Sequence, residues 1–425
     1  MNLKPRIYFI AALVGVLAGL FCFGLKTGIR WVAQLATYGI DWSASDWRLI
    51  FLPVVGVILA DLYATHIARR QLAHGTHIVE SHLDSGNYVL PAGTTYQPLV
   101  GTVITLGLGG SAGAEGPIAL AGAAIGSNVG RRFGFDSSLM RLFVACGAGA
   151  GIAAVFKAPI GGFLFTLEVL GMQFATAAVM AVFVATLMAA LTMEMLTGFS
   201  FSFSYPDIIF PEWSFLPWVL LLGIVVGVYT LFYRKSIHWI ISLLSRFSSH
   251  WVRNIVSGLI IGIPLFIFPC IYGEGYPAMN GVLESDFTAV TKGSPLASLI
   301  SSPWILLAFV GGIALLKGIV TSSTNNGGGV AGIFAPTLFA GCFVGLSFAL
   351  LIKLLFPVSL PVAPFAFMGM AGVMSAHIKA PFMAMFLTSE MCGDFRLFLP
   401  SAVVSLVAYG FVWYVNHRRP ALNHC

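Results

Sequence analysis

Charge is what this chain has least of. Asp, Glu, Lys and Arg make up 9% of its 425 residues, against 58% hydrophobic, where a typical soluble domain is about a quarter charged. So few charges cannot cover a water-facing surface, which excludes a soluble globule and makes lipid the main solvent. The formal net charge of +6 does not point to nucleic acid, because the basic residues gather at the ends of apolar runs. Lys4 and Arg6 precede the first run, Arg69 and Arg70 follow the second, and Arg418 and Arg419 follow the last. That distribution follows the positive-inside rule with both termini cytoplasmic. Six scattered cysteines form no CxxC pair and no disulfide framework. No His-Glu-x-x-His, no nucleophile elbow and no phosphate-cradling lysine loop is read in the sequence, so no enzyme, metal or cofactor is expected. His74, His77 and His82 lack a metal-ligand spacing and read as a solvated loop at the membrane edge.

What is present is apolar sequence in two textures. The basic start followed by Tyr8–Leu25 resembles a signal peptide, but that run is long enough to span and further spans follow, so it reads as a retained first helix. Leu49–Tyr63, Ala175–Leu191, Phe215–Tyr233, Ile255–Tyr272, Trp304–Val320 and Leu397–Trp413 are continuous runs of membrane-spanning character. Between them lie short, glycine-rich, proline-interrupted stretches: Gly107–Pro117, Gly147–Pro159, Thr321–Pro336 and Gly369–Pro381. Irregular backbone at membrane depth must be buried in protein or line a watery cavity, and such segments in matching places of two halves point to a transport site.

The halves do match. Gly113, Pro117, Ala121, Gly122 and Gly126 recur with the same internal spacing as Gly332, Pro336, Ala340, Gly341 and Gly345. Further on, Gly147, Ala154, Lys157, Ala158, Pro159 and Glu168 recur as Gly369, Ala376, Lys379, Ala380, Pro381 and Glu390. A shared Lys-Ala-Pro with a glutamate at the same distance beyond it argues for duplication over chance likeness among small residues. One transmembrane domain over residues 1–425 is expected, its halves near 1–200 and 205–417, the second inverted on the first, with no C-terminal regulatory domain.

Gly109–Pro117 and Gly327–Pro336 each end in a proline suited to the first turn of a helix. Ile118–Val129 and Thr337–Phe348 follow as small-residue-rich helices. A helix start leaves unpaired N–H groups at a positive dipole end. Two such starts aimed at one midplane point bind an anion without a full cation, weakly enough for it to leave. An ionisable residue there, Glu115, is functional by default. Glu168 and Glu390, after equivalent lysines, read as helix-end hydrogen-bonding or ion-pair partners. Lys157 and Lys379 read as turn-stabilising or snorkelling residues, and Thr76 serves equally as an N-cap or an anion ligand.

Gly113-Ala114-Glu115-Gly116-Pro117 resembles the Gly-Arg/Lys-Glu-Gly-Pro motif of the CLC family of chloride channels and H+/Cl− antiporters. Gly332-Ile333-Phe334-Ala335-Pro336 resembles its Gly-x-Phe-x-Pro. Gly75-Thr76-His77-Ile78-Val79 sits where the family has Gly-Ser-Gly-Ile-Pro. The resemblance runs from about Tyr8 to Trp413. It implies an all-α polytopic membrane protein, a CLC-type inverted-repeat bundle of broken and tilted helices, in a bacterial inner membrane. It also implies a homodimer with one pore per subunit, carrying chloride or similar small anions, with protons as a second ion. The implied gate is Glu115. The implied anion ligands are Thr76, the backbone about Gly113, Ala114, Gly116, Ile333 and Phe334, and Phe395 where the family places a tyrosine. Small residues such as Gly161, Gly162 and Ala384 are expected at the dimer interface.

The departures set the expected mechanism. Ala114 replaces the motif's basic residue, His77 and Val79 replace glycine and proline, and Phe395 has no hydroxyl. Val169 stands where proton-coupled members often carry an internal glutamate, leaving Glu115 and Glu168 as proton-pathway candidates. These changes favour passive, channel-like anion flow. The alternatives are an H+/Cl− antiporter, a fluoride-selective relative, and an intramembrane enzyme built on Glu115, Glu168 and histidines. The fluoride branch carries a glutamate and valine where this chain has Ile333-Phe334, so chloride-like selectivity is expected.

Overall fold

The structure, a computed structural model, describes residues 5–418 except 43, 71, 73–74, 173–175, 200–201 and 204–212. The first half runs α1 (Pro5–Ala36), α2 (Arg48–Leu62), α3 (Gly75–Ser85), α4 (Gln97–Gly107), α5 (Glu115–Arg132), α6 (Ser137–Phe156), α7 (Pro159–Glu168) and α8 (Thr176–Thr197). The second runs α9 (Leu216–Leu244), α10 (His250–Ile267), α11 (Tyr276–Leu283), α12 (Thr288–Thr291), α13 (Pro303–Asn326), α14 (Phe334–Leu355), α15 (Val362–Ile378), α16 (Pro381–Cys392) and α17 (Phe398–Arg418). Among the described residues nine helices are long and apolar enough to cross a membrane, and no strand occurs.

Burial sorts these helices into a centre and a rim. The apolar window of α6 is 89% buried, while those of α10 and α17 are 33% and 28% buried. The rim helices turn Leu220, Val228, Ile263, Leu399 and Leu406 outward, as lipid solvent permits. At the centre α5 packs on α6 and α14 on α15, each through a glycine pair. A methyl on Gly122 or Gly147 would strike the other's carbonyl, and Gly341 and Gly369 repeat that contact. The repeated glycines are therefore places where two helix backbones touch.

The repeated Lys-Ala-Pro is a helix break of the same shape in both halves. Lys157 and Lys379 adopt left-handed backbone, φ 56° and 66°, ending α6 and α15. At Ala158 and Ala380 the backbone leaves the helical region, which a residue before proline disfavours, and Pro159 and Pro381 open α7 and α16. The glycine stretches within Gly147–Pro159 and Gly369–Pro381 are thus continuous helix with one sharp break, where irregular backbone was expected.

Beyond those breaks the two halves lock together. Glu390, at the end of α16, accepts from Ile160 N–H at 2.9 Å and Gly161 N–H at 2.7 Å. Glu168, at the end of α7, accepts from Phe382 N–H at 3.2 Å and Met383 N–H at 2.6 Å. Each carboxylate caps the start of the other's helix, satisfying orphan amides. Gly161 packs on Leu387 and Gly162 on α6, and Ala384 is buried. These small residues are spent on contacts inside the protomer, which corrects their expected place at an interface between subunits.

Candidate functional site

The loops before α5 and α14 meet at a single antiparallel bridge. Gly113 N–H donates to Gly332 carbonyl at 3.1 Å, and Gly332 N–H returns to Gly113 carbonyl at 2.6 Å. The two helix starts are thereby set together. The bridge is clamped from behind by α13: Thr321 Oγ1 donates to the Ser111 carbonyl at 3.0 Å, and Ser111 N–H donates to Thr324 Oγ1 at 3.1 Å. The Val330 amide donates to Thr105 Oγ1 at 2.9 Å, tying the second loop to α4.

Glu115, the first residue of α5, is fully buried at this junction. Its Oε1 accepts from Ala335 N–H, in the first turn of α14, at 2.7 Å. Its Oε2 is buried and has no hydrogen-bond partner among the described residues. A Cβ added at Gly332 would meet that Oε2 at 2.6 Å, so only glycine leaves room for the carboxylate here. The side chain of one helix start therefore occupies an amide of the other. A negative group on an amide at a helix N-terminus is electrostatically ordinary.

On one side of the junction opens a cavity of about 240 Å³ lined by Gly75, Thr76, His77 and Glu80 of α3, Gly116 of α5, Val169, the segment from Ala331 to Phe334, His377 and Ile378. Thr76, Gly116, Ile333 and Phe334 thus line one cavity, and the Phe334 ring rests edge-on against Phe165 with centroids 5.9 Å apart. Gly113 and Ala114 do not line the cavity. Val169 does line it, while Glu168 beside it points away to its cap on α16. Among the described residues no group of three or more His, Cys, Asp or Glu could hold a metal ion; His74 lies outside those residues.

Phe395 is not at the site. It is 50% exposed in a turn pinned by the Arg396–Asp394 ion pair at 2.7 Å. That same pairing holds the Asp394 carboxyl below the usual carboxylate range. The turn directs Phe395 toward Phe398, centroids 6.3 Å apart, and away from Phe334.

Three charged side chains inside the bundle escaped the sequence reading, which placed basic residues at span ends. Lys317 on α13 is fully buried. It donates to Ser111 Oγ at 2.9 Å and lies 4.4 Å from the Phe339 ring centroid. Ser111 Oγ in turn donates to the Ile271 carbonyl at 2.6 Å. Gly109–Gly113 does carry the letters G-x-S-x-G, but this loop joins two helices and its serine hydroxyl is fully engaged, so it is no nucleophile elbow. Lys26 on α1 pairs with Glu274 at 2.9 Å, and Glu274 Oε1 accepts from Ala114 N–H at 3.4 Å. Partners 248 positions apart leave no local signal in a sequence.

Residues 56–412 match the family model described as voltage gated chloride channel. The H(+)/Cl(−) exchange transporter ClcA of Vibrio cholerae is 29% identical over 95% of this chain and 86% of its own. The voltage-gated ClC-type chloride channel ClcB of Salmonella typhi is 27% identical over 95% of this chain and 94% of its own. A solved structure of a slow cyanobacterial Cl−/H+ antiporter superposes with a TM-score of 0.81 at 26% identity, covering 100% of both chains. With the paired helix starts, the duplicated breaks and a matched span of this length, the chain belongs to the CLC family of voltage-gated-type chloride channels and antiporters and is a multi-pass membrane protein of anion transport.

Proposed function

We propose that this protein exchanges chloride for protons across the membrane, with Glu115 as the gate. The observation that carries the proposal is the Glu115 carboxylate on the Ala335 amide. While charged, it holds the donor a chloride needs. Once protonated, it loses the charge that kept it there and the donor is released to the anion. Proton and anion thus compete through one side chain, which is the elementary requirement of exchange.

The sequence favoured passive flow because Val169 cannot bind a proton. Two observations support coupling instead. Relatives matched over nearly the whole chain carry exchange-transporter names, and His77 and Glu80 line the same cavity as Val169. A proton leaving Glu115 toward that cavity meets titratable groups without any need for position 169 or for Glu168. Chloride within the cavity is held by the amides of Ile333 and Phe334 and by the Thr76 hydroxyl, with Phe395 taking no part.

The test is a proteoliposome with a chloride gradient and no pH gradient. Exchange predicts that chloride efflux drives proton uptake at a fixed ratio. A membrane potential that settles at the chloride equilibrium value whatever the pH gradient would restore the passive reading. Glu115→Gln is expected to abolish proton uptake and make chloride flux less dependent on pH.

A further inference from the structure

Next to the gate, outside the cavity's lining, stands a second carboxylate. Glu274 sits between Gly273 and Gly275, whose φ angles of 61° and 81° make the tight turn into α11. Its Oε1 accepts from Ala114 N–H at 3.4 Å and its Oε2 takes the Lys26 ammonium at 2.9 Å. One residue further, Glu115 holds Ala335 N–H at 2.7 Å. Amides of both helix starts are therefore each covered by a carboxylate. The contact to the Ala114 amide is long, at the limit of a hydrogen bond, while the bond to Lys26 is short, so Glu274 leans on the ammonium more than on the amide. Position 114 is where the family motif carries a basic side chain and this chain has alanine. Lys26 brings an ammonium to that place from α1, with its side chain only 15% exposed; charge so placed in a membrane span has a function by default.

We propose that Glu274 is a second gating carboxylate in series with Glu115, and that the Lys26 ammonium with the Ala114 amide is the anion site it covers. This rests on the reading of Glu115 as the gate. A chloride that passes Glu115 meets an ammonium and a helix-start amide, the one occupied and the other shielded by Glu274. When Glu274 takes a proton, both donors turn to the anion; when it loses the proton, they are covered again. The charged and titratable groups about Glu274 are Lys26 and Cys22 on α1, Glu115 on α5, Tyr276 at the start of α11 and Lys317 on α13. Two carboxylates thus sit beside two lysines, and removing one carboxylate leaves the other to respond to pH.

The experiment measures chloride flux from proteoliposomes between acid and neutral pH for E115Q, E115Q/E274Q and K26Q/E115Q/E274Q, with elution volume as the check on folding. In E115Q, flux should still rise as pH falls, because protonation uncovers the Lys26–Ala114 site. In E115Q/E274Q that dependence should vanish, and neutral-pH flux should exceed that of E115Q by roughly two- to tenfold, the worth of about one net hydrogen bond. Adding K26Q should remove the gain. A purely structural Glu274 would give lower flux in both Glu274 variants with the pH profile unmoved. A flat E115Q profile, or a double variant no faster than E115Q, overturns the proposal. Should the double variant not fold, the E115Q profile alone decides, since it leaves Glu274 in place. An E115Q that behaves as the unaltered protein brings down the gate reading itself, and this inference with it.

Discussion

A single bond, from the Ala335 amide to Glu115, shows how much a residue's meaning depends on its partner. The carboxylate was legible as a candidate gate because it stands at a helix start inside a glycine-proline motif, and the partner helix was legible because the motif recurs. Phe395 was not placed correctly, because nothing in the sequence past Glu390 marks the register of the next turn; the Asp394–Arg396 pair sets it. Phe395→Tyr should therefore leave chloride affinity unchanged in calorimetry, and a tighter site would return this residue to the anion path. Thr76→Ala, on the cavity wall, should weaken binding by about 0.5–1.5 kcal/mol, one neutral hydrogen bond; an unchanged affinity would leave Thr76 as a helix cap only. Lys26, Glu274 and Lys317 were illegible for a different reason. A lone lysine in an apolar run carries no sign of the loop, far along the chain, that will neutralise or solvate it.

At the scale of elements, the sequence showed where helices begin better than where they end. Prolines mark the starts of α7 and α16, and the motifs mark α5 and α14. The ends of α6 and α15 depend on left-handed lysines, a backbone state that costs a non-glycine residue roughly 1–2 kcal/mol. Lys379→Gly should relieve that cost and raise the melting temperature in detergent. Lys157→Gly should gain less, because Lys157 also pairs with Glu194 at 3.1 Å; an equal gain at both would mean the pair contributes nothing. The reciprocal caps test the joint between halves. Glu390→Ala leaves the part-buried amides of Ile160 and Gly161 without their acceptor, at a cost of up to about 1–3 kcal/mol each, and should lower the melting temperature clearly. Glu168→Ala should do the same. If either variant melts as the unaltered protein does, the caps are not what joins α7 to α16.

For the whole molecule, composition decided the solvent and the internal repeat decided the plan: a buried centre of glycine-paired helices inside a lipid-facing rim. Assembly was less legible, since small residues at helix contacts look alike whether the contact lies within a subunit or between two. We propose a homodimer, joined through exposed apolar rim residues and not through Gly161, Gly162 or Ala384; a mass measurement in mild detergent should give twice the 45.3 kDa chain, and monomers alone would refute it. The central claim is narrower, that the Glu115 carboxylate stands where a transported anion binds. Anomalous scattering from bromide-soaked crystals of Glu115→Ala reads this directly. The account predicts a bromide peak within hydrogen-bond distance of the Ala335 amide, in the space the carboxylate vacates, and bromide bound elsewhere with that amide left unliganded would contradict it.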